Sequence, residues 1–366
     1  MNERAWRELI SRKKKRLSDI PMFTILLAAS VLYGAAGVIR ALLFALKILK
    51  PSAVKAKIIS IGNITAGGTG KTPFTEELAK RLCKAGKKIV IVAKGYKRKK
   101  INKTDAVSDG AALLLDELHS GDEAFMLARS VDGAAVVVSD DKIKGIEYGV
   151  FRFRPDIVIL DDGFQKRRYL PEASQIVLID CLNPFGYGRL LPAGTLRESP
   201  SALKYADAVV LTNTNIAGGP EAVEKIKEAV LNRAKNARIF EAEHQPKYYY
   251  NIFTGEKQGT GYFNGKRVVL FSSLGNPAGF ERTIKSLGAH PAVSLRFKDH
   301  YRLSKKETEA LAKLSEGTKA DAVITTEKDE VKLIKKNYPL KDIWVLKISM
   351  LIKNIKELEK RLKVQL

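Results

Sequence analysis

Residues 58–72 read IISIGNITAGGTGKT: an apolar run, a glycine-rich turn, then Lys71 and Thr72 at the start of a helix-forming stretch. That order of residue types specifies a strand, a phosphate-cradling loop and a helix N-terminus. Gly67, Gly68 and Gly70 let backbone N–H groups approach an anion with no Cβ in the way, and the helix end adds partial positive charge. The expected phosphate-binding segment is Thr65, Ala66, Gly67, Gly68, Thr69, Gly70, Lys71 and Thr72. Lys71 is placed to bridge β- and γ-phosphates, and the Thr72 hydroxyl to ligate Mg²⁺. The usual pattern, GxxxxGK[ST], starts with glycine, whereas Thr65 stands there in this chain. A ligand-free αβ turn leaves the Lys-Thr pair unexplained, so phosphate binding is the expected role.

The chain around this loop alternates short apolar runs with helical patterns. Strands are predicted at 57–62, 88–93, 134–139, 156–162, 175–180 and 208–213, and helices at 72–85, 121–130, 141–152 and 221–234. Runs apolar throughout belong to strands buried on both faces, and alternation with helices means βαβ units on a parallel sheet. A second set has strands at 267–272, 292–297, 321–326 and 343–348, with helices near 277–287 and 304–316. Between the sets, a Tyr-, Gly- and Lys-rich region at 244–266 places a boundary near 236–250. The expected fold is α/β: a P-loop NTPase-like parallel-sheet domain plus a smaller α/β domain, with an N-terminal hydrophobic membrane helix. The corresponding segments are 1–50, 51–240, 241–348 and a C-terminal helix at 349–366.

Residues 22–39, MFTILLAASVLYGAAGVI, carry no charge, and after Arg40 the apolar character resumes at 41–46. As helix the uncharged run is about 27 Å long, close to the ~30 Å of a bilayer core. A cleaved signal peptide fits the basic run SRKKKR (11–16) before it, but not an ATP motif after it. A buried core helix is the second reading. The preferred one is a membrane anchor, spanning or interfacial. Basic residues flank both sides, so charge asymmetry sets no orientation. The 64 Lys and Arg against 40 Asp and Glu give a net charge of +24, which points to an anionic partner: nucleic acid, anionic lipid or a phosphorylated substrate. Two cysteines make no disulfide framework or zinc pattern, and a reducing compartment is the simplest reading.

The second requirement of a P-loop enzyme is an acidic strand end that holds Mg²⁺. DIVILDDGFQ (156–165) supplies Asp161 and Asp162 there. Adjacent strand residues point to opposite faces, so one is expected as a metal ligand and the other as a loop residue.

With these motifs the chain resembles the tetraacyldisaccharide 4′-kinase family, the membrane-associated lipid A kinases of Gram-negative bacteria. The resemblance rests on IGNITAGGTGKTP (61–73), KGYKR (94–98), GDEAFMLA (121–128), LDDGFQ (160–165), LLPAGTLRE (190–198), GNPAGF (275–280), KDHY (298–301) and TTEKD (325–329). They occur in the family's order over about residues 20–335. The resemblance implies that ATP, with Mg²⁺, phosphorylates the 4′-hydroxyl of a tetraacylated disaccharide 1-phosphate to give lipid IVA, in a cleft between two α/β domains. It implies that Asp122 and His300 act as a pair on the acceptor hydroxyl, with Lys71 and Arg197 also in the catalytic set. A carboxylate oriented by imidazole suits that task. The competing readings are a helix N-cap for Asp122 and a solvated loop residue for His300. Thr72, Glu123, Asp161, Asp162 and Gln165 form the implied metal and phosphate shell. Arg197 and Glu198 match the family's RE pair, Arg197 being expected to stabilise phosphoryl oxygens and Glu198 to orient it or approach metal. The implied partners are the acylated disaccharide lipid and the inner membrane, with the catalytic domain on the cytoplasmic face and no nucleic acid.

Two departures stand out. Lys166 replaces the family's usual His after DDGFQ, and KGYKRKK (94–100) replaces a glycine-rich GYGG pattern. This basic run is expected to grip the substrate's 1-phosphate or the membrane, or to be a solvated loop. A membrane-tethered P-loop ATPase acting on nucleic acid or in partitioning is the competing reading, although no RNP or zinc-finger pattern supports it. A GTPase is disfavoured because TTEKD sets Lys328 beside Asp329, unlike NKxD.

Overall fold

A computed structural model describes residues 3–12, 15–52, 54–275, 277–333 and 342–363. Lys13 and Lys14 of the basic run, Asn276 of GNPAGF and the last three residues of the expected C-terminal helix lie outside the described residues.

Two helices, α1 (Glu3–Ser11) and α2 (Ile20–Ala45), precede the first strand. The first unit then runs β1 (Lys57–Asn63), α3 (Lys71–Lys84), β2 (Ile89–Ala93), β3 (Thr104–Asp109), α4 (Glu117–Ser120), α5 (Asp122–Ser130), β4 (Ala134–Ser139), α6 (Lys142–Phe153), β5 (Ile157–Asp161), β6 (Ser174–Asp180), β7 (Ala208–Thr212) and α7 (Pro220–Leu231). The remainder is β8 (Arg238–Asn251), β9 (Lys257–Gln258), β10 (Arg267–Ser272), α8 (Pro277–Ser286), β11 (His290–Arg296), α9 (Lys305–Gly317), β12 (Ala322–Thr326), α10 (Glu327–Glu330), β13 (Ile343–Ile352) and α11 (Ile355–Arg361).

All strands join one sheet, in the order β11-β10-β12-β13-β8-β7-β6-β1-β5-β2-β4-β3, with β9 paired to β8. β1 lies between β5 and β6, both parallel to it. Its residues divide between two apolar layers. Ile59 and Ile61 pack with Phe74, Leu78 and Leu82 of α3, while Ile58 packs with Val90, Val158 and Ile146 on the other face. This two-sided burial is the physical content of the continuous apolar runs. The crossover from β1 to β2 goes to one side and β6 adds on the other, so a crevice opens above the carboxyl ends of β1 and β6, where open α/β sheets bind ligands.

β8 passes through the border expected between residues 240 and 241. Its first part pairs parallel with β7 and its second part antiparallel with β13. The register shifts opposite Pro246, a residue tolerated in a sheet at such irregularities. β13 likewise continues to Ile352, so the segment expected as a C-terminal helix begins as strand and turns helical at Ile355. Leu358 and Leu362 of that tail enter the core beneath α3, and Arg81 pairs with Glu359 at 2.8 Å. The smaller α/β unit is thus an excursion between β8 and β13, and the chain returns to the first unit to end.

α2 is 26 residues long, roughly 39 Å at 1.5 Å per residue. Phe23 and Ser30 are buried against the protein, while Ile25, Val31, Leu32, Val38 and Leu42 are exposed. α2 with the turn before it (Leu17–Ala45) is the one stretch among the described residues long and apolar enough to cross a membrane, with 17% of its apolar window buried.

Candidate active site

The phosphate loop occupies residues 64–70 between β1 and α3. Gly67 and Gly70 adopt φ of +120° and +83°, a region costly to other residues. A Cβ on Gly70 would also meet Met350 Cε at 2.8 Å. The loop is braced from several sides: Asn63 Nδ2 donates to Thr69 Oγ1 (3.0 Å), Thr212 Oγ1 to the Thr69 carbonyl (3.0 Å), and Ala66 N to the Thr195 carbonyl (2.6 Å). Thr65, the departure from the usual glycine, is buried and forms a bridge with Leu196. A short extended pairing there needs no left-handed residue, which accounts for the threonine. From the second unit, the turn before α8 closes over the loop: a Cβ on Gly275 would lie 2.9 Å from Gly68 N.

The two acidic residues after β5 part company because the strand ends between them. Asp161 is the last strand residue, and Asp162 follows with φ +54°. Asp161 is buried and accepts from Thr75 Oγ1 at 3.3 Å. Thr72 is half-buried on the first turn of α3, so Thr75, one turn later, is the hydroxyl that meets Asp161. Asp162 accepts from Arg197 Nη1 at 2.7 Å and lies 3.6 Å from Lys71 Nζ. Arg197 also donates to Asn63 Oδ1 at 3.2 Å. Buried Lys142 donates to the backbone carbonyls of both Asp161 and Asp162. Burial and the neighbouring Glu123 charge push Asp161 up to about 6, against the pull of Lys142. Asp162 is only half-buried; desolvation raises its pKa, but Lys71, Lys142 and Arg197 outweigh that and hold it well below the usual carboxylate range. Gln165 donates Nε2–H to the Asn63 carbonyl at 2.8 Å, while its Oε1 is buried without a hydrogen-bond partner.

The third part is assembled from both units. Gly121 (φ +84°) passes against Tyr96 and starts α5 with Asp122. His300 follows β11 in a turn, with φ +61°. His300 Nδ1 lies 2.7 Å from Asp122 Oδ2 and 2.9 Å from Oδ1, and the Tyr96 ring packs on the imidazole with centroids 4.4 Å apart. Burial raises the Asp122 pKa, but the His300 hydrogen bond and the Lys328 charge outweigh it and leave the carboxyl below its ordinary value. Lys328 Nζ contacts Glu123 Oε1 (2.9 Å), Asp299 Oδ1 (3.0 Å) and His300 Nε2 (3.4 Å). Burial disfavours its charge, but Glu123, Asp299 and Asp122 hold its pKa above the ordinary lysine value.

Asp122 with His300, and Lys71 with Arg197 and Asp162, are therefore brought together as the motifs imply. Glu198 is instead drawn to Arg167 at 2.6 Å. Lys166 lies over the Tyr169 ring, 5.1 Å from its centroid. The basic run at 94–100 is partly consumed internally: Arg98 is buried and pairs with Asp105 at 2.6 Å. Sequence reasoning missed Lys328, Lys142 and Asn63. Lys328 lies in TTEKD, a motif noted without a role; Asn63 lies inside the phosphate-loop motif at 61–73 but was given no role, and Lys142 lies in none of the motifs.

Among the described residues no group of three or more His, Cys, Asp or Glu is gathered to hold a metal alone. Mg²⁺ commonly takes one or two carboxylates plus phosphate and water oxygens. The all-oxygen donors here, the mutual repulsion of Asp161 and Glu123, and the unpartnered Gln165 Oε1 fit that cation.

A glycine-rich loop between a strand and a helix that begins with Lys71, facing a carboxylate–imidazole pair built from both units, is the arrangement of a P-loop phosphotransferase. Comparison with known proteins carries this further. The family described as tetraacyldisaccharide-1-P 4′-kinase matches residues 22–366. A tetraacyldisaccharide 4′-kinase from Elusimicrobium minutum is 38% identical over 85% of this chain and 82% of that protein. One from Syntrophus aciditrophicus is 34% identical over 97% and 95%. The crystal structure of LpxK from Aquifex aeolicus in complex with ATP is similar with a TM-score of 0.71 and 27% identity, covering 93% of this chain and 98% of that one. The chain belongs to the tetraacyldisaccharide-1-P 4′-kinase family.

Proposed function

We propose that this chain transfers the γ-phosphate of ATP to the 4′-hydroxyl of tetraacyldisaccharide 1-phosphate, a step of lipid A biosynthesis. The observation that carries the residue-level reading is the Asp122–His300 pair, built from two units. The loop amides and Lys71 bind the triphosphate. Lys71 lies 3.6 Å from Asp162, beyond hydrogen-bonding range, so its donors remain available to phosphate. Arg197, fixed by Asp162 and Asn63, offers positive charge to the phosphoryl oxygens. His300 orients the Asp122 carboxylate, which takes the hydroxyl proton as the new O–P bond forms and the bond to the leaving diphosphate breaks. A low-pKa carboxylate suffices if the transition state is loose and the proton leaves late. Residues drawn from Thr72, Glu123, Asp161, Asp162 and Gln165 would hold Mg²⁺, which would neutralise charge at the phosphates when bound.

The membrane side of this reading rests on α2. Each acyl CH₂ drawn into water costs about 0.8 kcal/mol, so the enzyme meets a four-chain lipid at the bilayer. The exposed apolar side of α2, beside basic residues, suits docking to the inner membrane with the catalytic units on the cytoplasmic face, where ATP is. A nucleic-acid or partitioning ATPase is not favoured, because the family match extends through both units.

The test is γ-labelled ATP, Mg²⁺ and tetraacyldisaccharide 1-phosphate in mixed micelles, with no-lipid and DNA controls. Label on the lipid, lost in Lys71→Ala, supports the kinase. ATP hydrolysis stimulated by DNA with no lipid label overturns it.

A further inference from the structure

Lys328 enters the site from the second unit, on the short helix that follows β12. Its turn is rigidly built. The Thr326 hydroxyl donates to Asp329 Oδ2 (2.8 Å) and accepts from Asp329 N (3.3 Å). Asp329 also accepts from Ser273 N (3.0 Å) and Lys332 Nζ (2.6 Å). An ammonium has three donors and no acceptor. Those of Lys328 face Glu123, Asp299 and the Nε2 of His300.

This has a consequence for the imidazole. A nitrogen facing an ammonium must present its lone pair, so the ring proton sits on Nδ1, the nitrogen against Asp122. The opposite tautomer would set an N–H against the ammonium and a lone pair against the carboxylate. The same ammonium fixes Glu123, whose charge is felt by Asp161 at the end of β5.

We propose that Lys328 is a positioning residue of the phosphoryl-transfer centre, locking His300 in the tautomer that donates Nδ1–H to Asp122 and anchoring Glu123 across the cleft. The inference rests on the kinase reading for its kinetic consequences, and on the geometry alone for the tautomer. Lys328 touches neither phosphate nor hydroxyl in this role. It acts through His300 and Glu123, and it ties the catalytic pair to closure of the two units.

Two measurements test it on the full-length protein. First, ¹⁵N NMR of the His300 ring in wild type and Lys328→Met: wild type is expected to carry its proton on Nδ1, and the variant to shift toward Nε2–H. Second, kinetics in mixed micelles: Lys328→Met is expected to lose about 10- to 100-fold in kcat, the scale of an outer-shell partner, with the KM for ATP within about threefold. In Lys328→Ala, added ethylamine is expected to return part of the lost kcat. Unchanged kcat, or lost kcat with no tautomer shift and no amine rescue, overturns the proposal in favour of a simple brace between the units. If wild type labels no lipid, the kinase reading fails, while the tautomer experiment still decides the role of Lys328.

Discussion

The Tyr33 hydroxyl donates to the backbone carbonyl of Arg197 at 3.1 Å, joining the apolar N-terminal helix to the residue that holds Asp162. It is one of three such ties. Arg40 donates to the Gln165 carbonyl at 2.8 Å, and Ser30 Oγ donates to the Leu190 carbonyl and accepts from Ala193 N, both at 2.9 Å. α2 therefore touches the backbone of residues implied in phosphate and metal handling, while its other side is apolar and exposed. Losing one such bond removes about 0.5–1.5 kcal/mol of net interaction. Tyr33→Phe combined with Arg40→Ala is expected to lower turnover on bilayer-presented lipid about three- to tenfold, with ATP binding unchanged. Wild-type turnover in that pair would reduce α2 to an anchor.

In the proposed mechanism the Asp122–His300 pair acts as a unit, so its deletions should not add. Asp122→Asn and His300→Ala are each expected to lower kcat at least about 100-fold, and the double variant little more than the worse single. Steady-state kinetics on the three proteins checks this. Losses that multiply would mean two independent roles.

Much of this arrangement was readable from the chain because backbone demands write themselves into residue types. The glycines at 67 and 70 mark positive φ, and the uninterrupted apolar runs mark strands covered on both faces. β3 escaped because TDAVSD is a short edge strand paired on one side only. β8 escaped because RIFEAEHQPKYYYN mixes charges with Pro246, the composition of a linker, and it serves as one while remaining in the sheet. The division of labour between Asp161 and Asp162 depends on where β5 stops, a matter of one residue that no periodicity resolves. Lys328 was invisible as a site residue for another reason. Its partners come from segments roughly 30 and 200 positions away, and a buried lysine declares its role only through them.

His244 gives a prediction for acid stability. It lies against the phosphate loop, with Nδ1 2.7 Å from Asn213 Oδ1, and burial pushes its pKa down to about 4 from 6.5. The folded value is below the unfolded one, so between about pH 6.5 and 4 the unfolded chain holds the extra proton and acid favours unfolding. The stability this group loses on going from pH 7 to below 4 is at most about 3 kcal/mol. Urea titrations at pH 7 and pH 4.5 should show a smaller acid loss in His244→Gln than in wild type. Equal losses would assign the acid sensitivity to carboxylates instead.

Gly70 tests the phosphate loop without removing a charge. Its φ of +83° costs an L-residue about 1–2 kcal/mol, and the added methyl of Gly70→Ala would meet Met350 Cε at 2.8 Å and the His244 ring at 3.4 Å. Met350 and His244 sit on β13 and β8, the two strands that carry the chain between units. The backbone must therefore shift at the start of α3, where the proposed phosphate contacts fall. Gly70→Ala is expected to raise the Kd for ATP by about tenfold or more, measured by calorimetry. Trimming the neighbour in Gly70→Ala with Met350→Ala removes the steric part but leaves the strained φ, so only partial recovery is expected. Full recovery would show that crowding by Met350, rather than the left-handed backbone, is what demands glycine there.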